Sequence, residues 1–267
     1  MCLIIFDWAA DNDKPLKLLS NRDEFHARPS QSAHIWADEP HIYGGRDLEK
    51  KGTWLAVSST GRMACVTNYR ENDNTPKPRS RGEIPRQFLS SRLSAQDFAY
   101  SLREKYEEFP GFNALLFDGN QLSYSSNRSP NDPVSLAPGT YGISNHLLDT
   151  PWPKLTRAKN AFKAAVDLSS RRDSNDSLFE VMFDQTRANK AELPKTGISE
   201  EVEMMLSAVF IRSPAYGTRT TTWVELCKEK GFTVEERNHT PEQVNASRSC
   251  STIELTKASP STDAPAV

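Results

Sequence analysis

The chain has 267 residues, 37% of them apolar and 25% charged, and a formal charge of −2. That supports a sizeable core beneath a polar coat, and it supplies no net positive field to hold nucleic acid or an anionic bilayer. No stretch approaches the roughly 20 apolar residues that span a membrane, so neither nucleic acid nor membrane insertion is expected.

Leu3 to Phe6 is a continuous apolar run and predicts a buried strand. Leu16 to Ser20 reads as its antiparallel partner, followed at once by the polar Asn21-Arg22-Asp23-Glu24. Thr53 to Ser58 and Arg62 to Thr67 form a second strand pair around Thr60-Gly61, ending on Asn68. Residues 71–81 are rich in Asn, Asp, Pro, Lys and Arg and predict an exposed loop, whose basic run Lys77 to Arg81 is a candidate phosphate contact. Ser94 with Asp97 resembles a capping box, and Phe98 and Leu102 share one helical face. Phe112–Phe117 and Leu122–Ser126 flank Asp118-Gly119-Asn120, a hairpin signal. Tyr141 to Ser144 predicts a strand ending on Asn145-His146, and Leu155, Ala158, Phe162 and Val166 a helical stripe. Late strands are expected at Val209–Ile211, Thr220–Leu226 and Phe232–Glu236. Strand pairs with helices grouped between them give an α+β layered fold. Residues 1–255 are expected to form one domain, with 256–267 a disordered tail.

The N-terminus has no basic leader. Cys2, Cys65, Cys227 and Cys250 have neither metal-like nor redox-pair spacing, so they read as reduced thiols in a cytoplasmic protein without a metal site. Cys2 carries the most chemistry. With Met1 trimmed, one residue would hold both a thiol and an α-amine of pKa near ~8, able to act as nucleophile and base together. Alone, Cys2 reads equally as a small hydrophobe opening a strand. Its company adds weight: pairing of the first two strands brings Arg22 and Asp23 near it, the arginine to lower the thiol pKa and the aspartate to orient the amine. Asn68 and Asn145, each ending a strand, can offer N–H groups to an oxyanion. Arg219 can pair with Asp23 or hold an anion.

The ordered set Met1-Cys2, Asn21-Arg22-Asp23-Glu24, Gly44-Gly45-Arg46-Asp47, Gly52-Thr53-Trp54-Leu55, Thr67-Asn68-Tyr69, Ser144-Asn145, Pro151-Trp152-Pro153-Lys154 and Tyr216-Gly217-Thr218-Arg219 resembles the NRDE family, the "transport and Golgi organisation two" proteins. At greater distance the layout is similar to the N-terminal-cysteine amide hydrolases. The resemblance implies a four-layer αββα sandwich of two stacked, mainly antiparallel sheets, of N-terminal-nucleophile hydrolase type. It maps the nucleophile to Cys2, the first basic and acidic pair to Arg22 and Asp23, oxyanion donors to Asn68 and Asn145, and the late arginine to Arg219. In the hydrolases two residues separate the basic and acidic pair; here Arg22 and Asp23 are adjacent, so their side chains can point differently.

The family's association with haem trafficking and acyl-CoA handling implies a carrier of a hydrophobic anion, and this reading is placed first. Haem would be non-covalent cargo, because Cys-x-x-Cys-His is absent from the sequence, and acyl-CoA is the next ligand. Transient contact with haem donor or acceptor proteins follows from that role. The ligand would meet Asn21, Arg22, Asp23, Glu24 and Arg219, with His26 and His146 the histidines adjacent to family motifs. Hydrolysis of linear C–N amide bonds is the alternative.

Overall fold

The computed structural model describes residues 2–73, 75–169 and 175–256. The chain opens on a hairpin, β1 (Cys2–Trp8) and β2 (Leu16–Phe25), then runs through β3 (Ser30–Ile35), β4 (Ile42–Asp47), β5 (Leu55–Ser58) and β6 (Met63–Asn68). Helices α1 (Glu83–Leu89) and α2 (Ala95–Arg103) come next. They lead into β7 (Phe112–Phe117), β8 (Leu122–Ser126), the short β9 (Val134–Ser135) and β10 (Gly139–Ile143). After α3 (Pro153–Ser169), α4 (Asp176–Val181) and α5 (Glu200–Leu206), the chain closes with β11 (Tyr216–Cys227), β12 (Gly231–Asn238) and β13 (Ser247–Ile253).

The strands form two antiparallel sheets, ordered β10-β1-β2-β11-β12-β13 and β3-β4-β5-β6-β7-β8-β9. Side-chain alternation along β1 explains the stacking. Ile4, Phe6 and Trp8 pack with Leu18 and Val224 against Tyr43, Leu55, Cys65 and Leu115 of the other sheet. Leu3 and Ile5 point the opposite way, onto Leu155, Ala158 and Phe162 of α3 and Phe179 of α4. A strand covered on both faces needs the unbroken apolar run that the sequence shows. The second sheet is covered likewise, with Ala56, Ala64 and Leu116 under Phe88 of α1 and Phe98 of α2. The order is therefore helix, sheet, sheet, helix, as the family resemblance implies. Burying each large apolar side chain contributes roughly 1.5–3 kcal/mol.

Several sequence expectations are corrected. β2 runs to Phe25, so Asn21 to Glu24 lie within the strand. These polar residues stay in it because β11 pairs along the whole stretch, while β1 flanks Asn21 and Arg22 on the other side. Val209–Ile211 is buried but not a strand: the Phe210 N–H bonds Asp184 O at 2.8 Å and the Ile211 N–H bonds Thr218 Oγ1 at 2.9 Å, in place of a ladder. β3, β4 and β13 were not expected, since their polar and glycine-rich sequences lack an apolar period. Ser94 does cap α2, accepting from Asp97 N at 3.0 Å, but its hydroxyl meets the Asp97 carboxylate directly. Of the expected tail, Thr256 is bound to Ser59 O and residues 257–267 lie outside the described residues. No helix among the described residues is long and apolar enough to cross a membrane.

Candidate functional site

The open ends of the two sheets meet beside Cys2. Pairing of β1 with β2 sets Cys2 opposite Arg22, and alternation turns both toward the facing sheet. A pocket of about 120 Å³ opens there, lined by Cys2, Arg22, Trp54, Asn68 and Arg81 together with Glu24 and Asp47. The Arg22 guanidinium lies 4.2 Å over the Trp54 ring and only 3.8–3.9 Å from Glu24 and Asp47. Its Nη1 is buried and donates no hydrogen bond among the described residues. A buried donor left over in this way is an available contact for a ligand. Trp54 reaches this position because Gly45 leaves room: a Cβ there would sit 2.3 Å from the indole.

The adjacent Asp23 faces the other side of the sheet, where Thr218 Oγ1 donates to Oδ1 at 2.7 Å. Adjacency of the Arg–Asp pair thus separates the two side chains across the strand. Burial pushes the Cys2 thiol above its ordinary pKa, Asp23 and Glu24 push the same way, and the opposing effect of Arg22 is smaller. Arg22 does pull the thiol down, as expected, but burial outweighs it. Burial also raises the Asp23 carboxyl, against the pull of Lys154.

Asn68 lines the pocket directly. Asn145 stands behind it, fully buried, and gives one N–H to Asn68 O at 3.2 Å. The carbonyl of Asn145 accepts from Arg70 N at 2.7 Å, which ties the segment after β6 to the end of β10.

Other predicted residues lie elsewhere. Asn21 donates to Met182 O and Val209 O at 2.8 and 2.9 Å and accepts from Thr221, on the outer face under α4. Arg219 is the extra residue of a bulge in β11 and holds the carbonyls of Phe25 and Arg28, so it does not pair with Asp23. His146 uses both ring nitrogens, on Tyr69 Oη at 2.6 Å and Thr150 Oγ1 at 2.8 Å, away from the pocket. His26 meets Ser213 O at 3.2 Å and borders a separate groove with Phe210 and Pro241.

Sequence reasoning placed Trp54 only in a strand and a family motif, and Arg81 only at the end of a basic loop. Arg81 donates to Gly111 O at 3.1 Å, and its charge is felt at Cys2. Two buried charges also escaped notice. Arg70 forms an ion pair with Glu203 and lies 4.6 Å over the Trp152 ring. Lys154, at the start of α3, is 2% exposed. Their signal was only a place inside or beside recurrent family motifs.

The site is thus built from a cysteine opening a central strand of an αββα sandwich, an arginine opposite it and an asparagine of the second sheet lining the same pocket. The chain belongs to the Transport and Golgi organisation 2 family, whose model matches residues 1–241. The human Transport and Golgi organization protein 2 homolog is 35% identical over 257 residues, covering 89% of this chain and 93% of the relative. The Drosophila melanogaster Transport and Golgi organization protein 2 is 30% identical over 244 residues, covering 82% and 86%. A solved structure of the C2A mutant conjugated bile acid hydrolase from Clostridium perfringens aligns at TM-score 0.47 and 8% identity, over 97% of this chain and 99% of that one.

Proposed function

We propose that this site hydrolyses linear C–N amide bonds, with Cys2 as nucleophile in a chain from which Met1 has been removed. The observation that carries this reading is the convergence of Cys2, Arg22, Asn68 and Arg81 on one pocket of about 120 Å³. Sites that enclose a drug-sized ligand run to ~300–1,000 Å³ with mainly apolar walls. This pocket is smaller and walled by charges, which suits a carbonyl group and its polar neighbours better than a haem.

The Cys2 α-amine takes the proton from Sγ, and the thiolate attacks the amide carbonyl carbon. Asn68 donates to the developing oxyanion, while Asn145 fixes Asn68 in place. The C–N bond breaks as the leaving nitrogen takes the proton back from the α-ammonium. Water, deprotonated by the same amine, then attacks the thioester, releasing the carboxylic acid and restoring the thiol. Arg22 and Arg81 hold anionic groups beside the scissile bond. The test is a screen of N-acyl amines and N-acyl amino acids with the wild-type chain and Cys2→Ala. Hydrolysis lost in Cys2→Ala supports the reading; hydrolysis that survives it refutes Cys2 as nucleophile.

A second reading, carriage of a hydrophobic anion such as haem or acyl-CoA, is favoured by one feature. Phe25 is 59% exposed one residue beyond Glu24, its ring edge-on to Tyr216 at 5.2 Å. Phe25 shares the outer face with Tyr216 and Asp23, so an apolar body resting there would lie across the edge of β2 from a charged head in the pocket. Saturable haem or acyl-CoA titrations, weakened by Phe25→Ser and Arg81→Ala but not by Cys2→Ala, support carriage; linear, unsaturable titrations refute it.

A further inference from the structure

Behind Cys2, on the outer face of its sheet, lies a buried charged cluster that the amide mechanism above does not use. It gathers Asp23 of β2, Arg70 after β6, Lys154 of α3, Glu203 of α5 and Tyr216 of β11. Most of these groups have clear structural employment. Glu203 takes the Arg70 ion pair and also accepts from Thr196 Oγ1 at 2.5 Å and Thr196 N at 3.3 Å. Asp23 is held by Thr218.

Lys154 has none. Its Nζ is buried and donates no hydrogen bond among the described residues. It is the second residue of α3, a helix described from Pro153 to Ser169, so the ammonium lies at the end where the helix dipole repels a cation. A buried unpartnered cation is also costly by desolvation alone. Packing gives no reason for a lysine here, since Leu155, the next residue, supplies the apolar contact to β1. Local rules broken together in this way are expected where a residue serves a site.

We propose that Lys154 is a positioning residue for the Cys2 site, a cation set behind the nucleophile to balance Asp23 and to favour the charged thiolate of Cys2. Its surroundings make the balance sensitive. The nearby anions are Asp23 and Glu203; Glu203 takes the Arg70 ion pair, and Asp23 feels both Lys154 and Arg70, Lys154 the more strongly. Burial brings the ammonium down to about 8, with Arg70 adding to the shift and Asp23 and Cys2 opposing it. The charge can therefore be withdrawn within a unit or so of neutrality. This inference rests on reading Cys2 as a nucleophile, but it concerns the thiol itself and needs no substrate.

The experiment is the rate of Cys2 alkylation by iodoacetamide against pH, in the full chain, resolved from Cys65, Cys227 and Cys250 by peptide mass spectrometry. Lys154→Met is expected to raise the midpoint for Cys2 by less than about one unit, the low end for a nearby opposite charge. Burial, Asp23, Arg22 and Glu24 act more strongly on the thiol. Lys154→Arg is expected to restore the wild-type midpoint. An unchanged midpoint in folded Lys154→Met, or failure of Lys154→Arg to restore it, overturns the proposal. Should Lys154→Met not fold, the ε-carbon resonance of Lys154 is followed by NMR in the wild type and Asp23→Asn. Titration below the surface lysines, lowered further by Asp23→Asn, supports the pairing; titration with the surface lysines refutes it. Lost amide hydrolysis with an intact Lys154 effect would sink the hydrolase reading alone.

Discussion

Replacing Glu203 by alanine should cost the fold about 3–5 kcal/mol, because it strands a buried guanidinium. The ion pair joins side chains that are 4% and 3% exposed, and Arg70 Nε and Nη2 already have no hydrogen-bond partner among the described residues. Once Glu203 is gone, no carboxylate among the described residues forms a direct ion pair with Arg70, which keeps the Trp152 ring and the more distant charge of Asp23. The penalty is desolvation of the arginine rather than loss of the bond itself. Arg70→Met with Glu203→Ala should therefore cost less than Glu203→Ala alone, although it removes more atoms. Urea unfolding of the wild type, both single variants and the double variant gives the comparison. A Glu203→Ala cost below about 1 kcal/mol, the range of exposed pairs, would refute the reasoning. Because Arg70 N holds Asn145 O, the same variant is expected to loosen Asn68 and lower turnover before it unfolds the chain.

Asn68→Ala should reduce amide hydrolysis by about 10²–10³ with little change in stability, the usual cost of one oxyanion donor; single-turnover rates and urea midpoints check both halves. Gly45→Ala should displace the indole of Trp54 from beneath Arg22, read as a shift in tryptophan fluorescence and a fall in activity. His239 accepts from Asn245 N at 3.0 Å and packs edge-on against Phe183 and Phe210, and burial lowers its pKa to about 4. The folded state then resists a proton that the unfolded chain binds below about 6.5. Its contribution is intact above that pH and is lost as pH falls toward 4, so His239→Gln should flatten the decline of urea midpoint between pH 7 and pH 5.

Much of the fold was legible because its strands are covered on both faces. Leu3 to Phe6 and Phe112 to Phe117 are apolar without interruption, and such runs announce themselves. β3 and β13, at the outer edges, are polar and need no apolar period. The extent of β2 was hidden for a different reason: Asn21 is polar but fully satisfied by Met182, Val209 and Thr221, and no local pattern reports partners so distant in sequence. At the site, Cys2 opposite Arg22 followed from strand pairing alone. Arg219 was misplaced because the bulge between Thr218 and Thr220 cannot be read from composition. Lys154 and Glu203 were missed because burial of a charge depends on which helices close over it.

The most direct test of Cys2 as nucleophile and base is the intact mass of the natively expressed, untagged protein. A mass lighter by one methionine residue, with Cys2 unmodified, is the expected result and leaves a free α-amine on the nucleophile. Retention of Met1 would contradict the account, because the amine would then sit on the wrong residue to take the thiol proton.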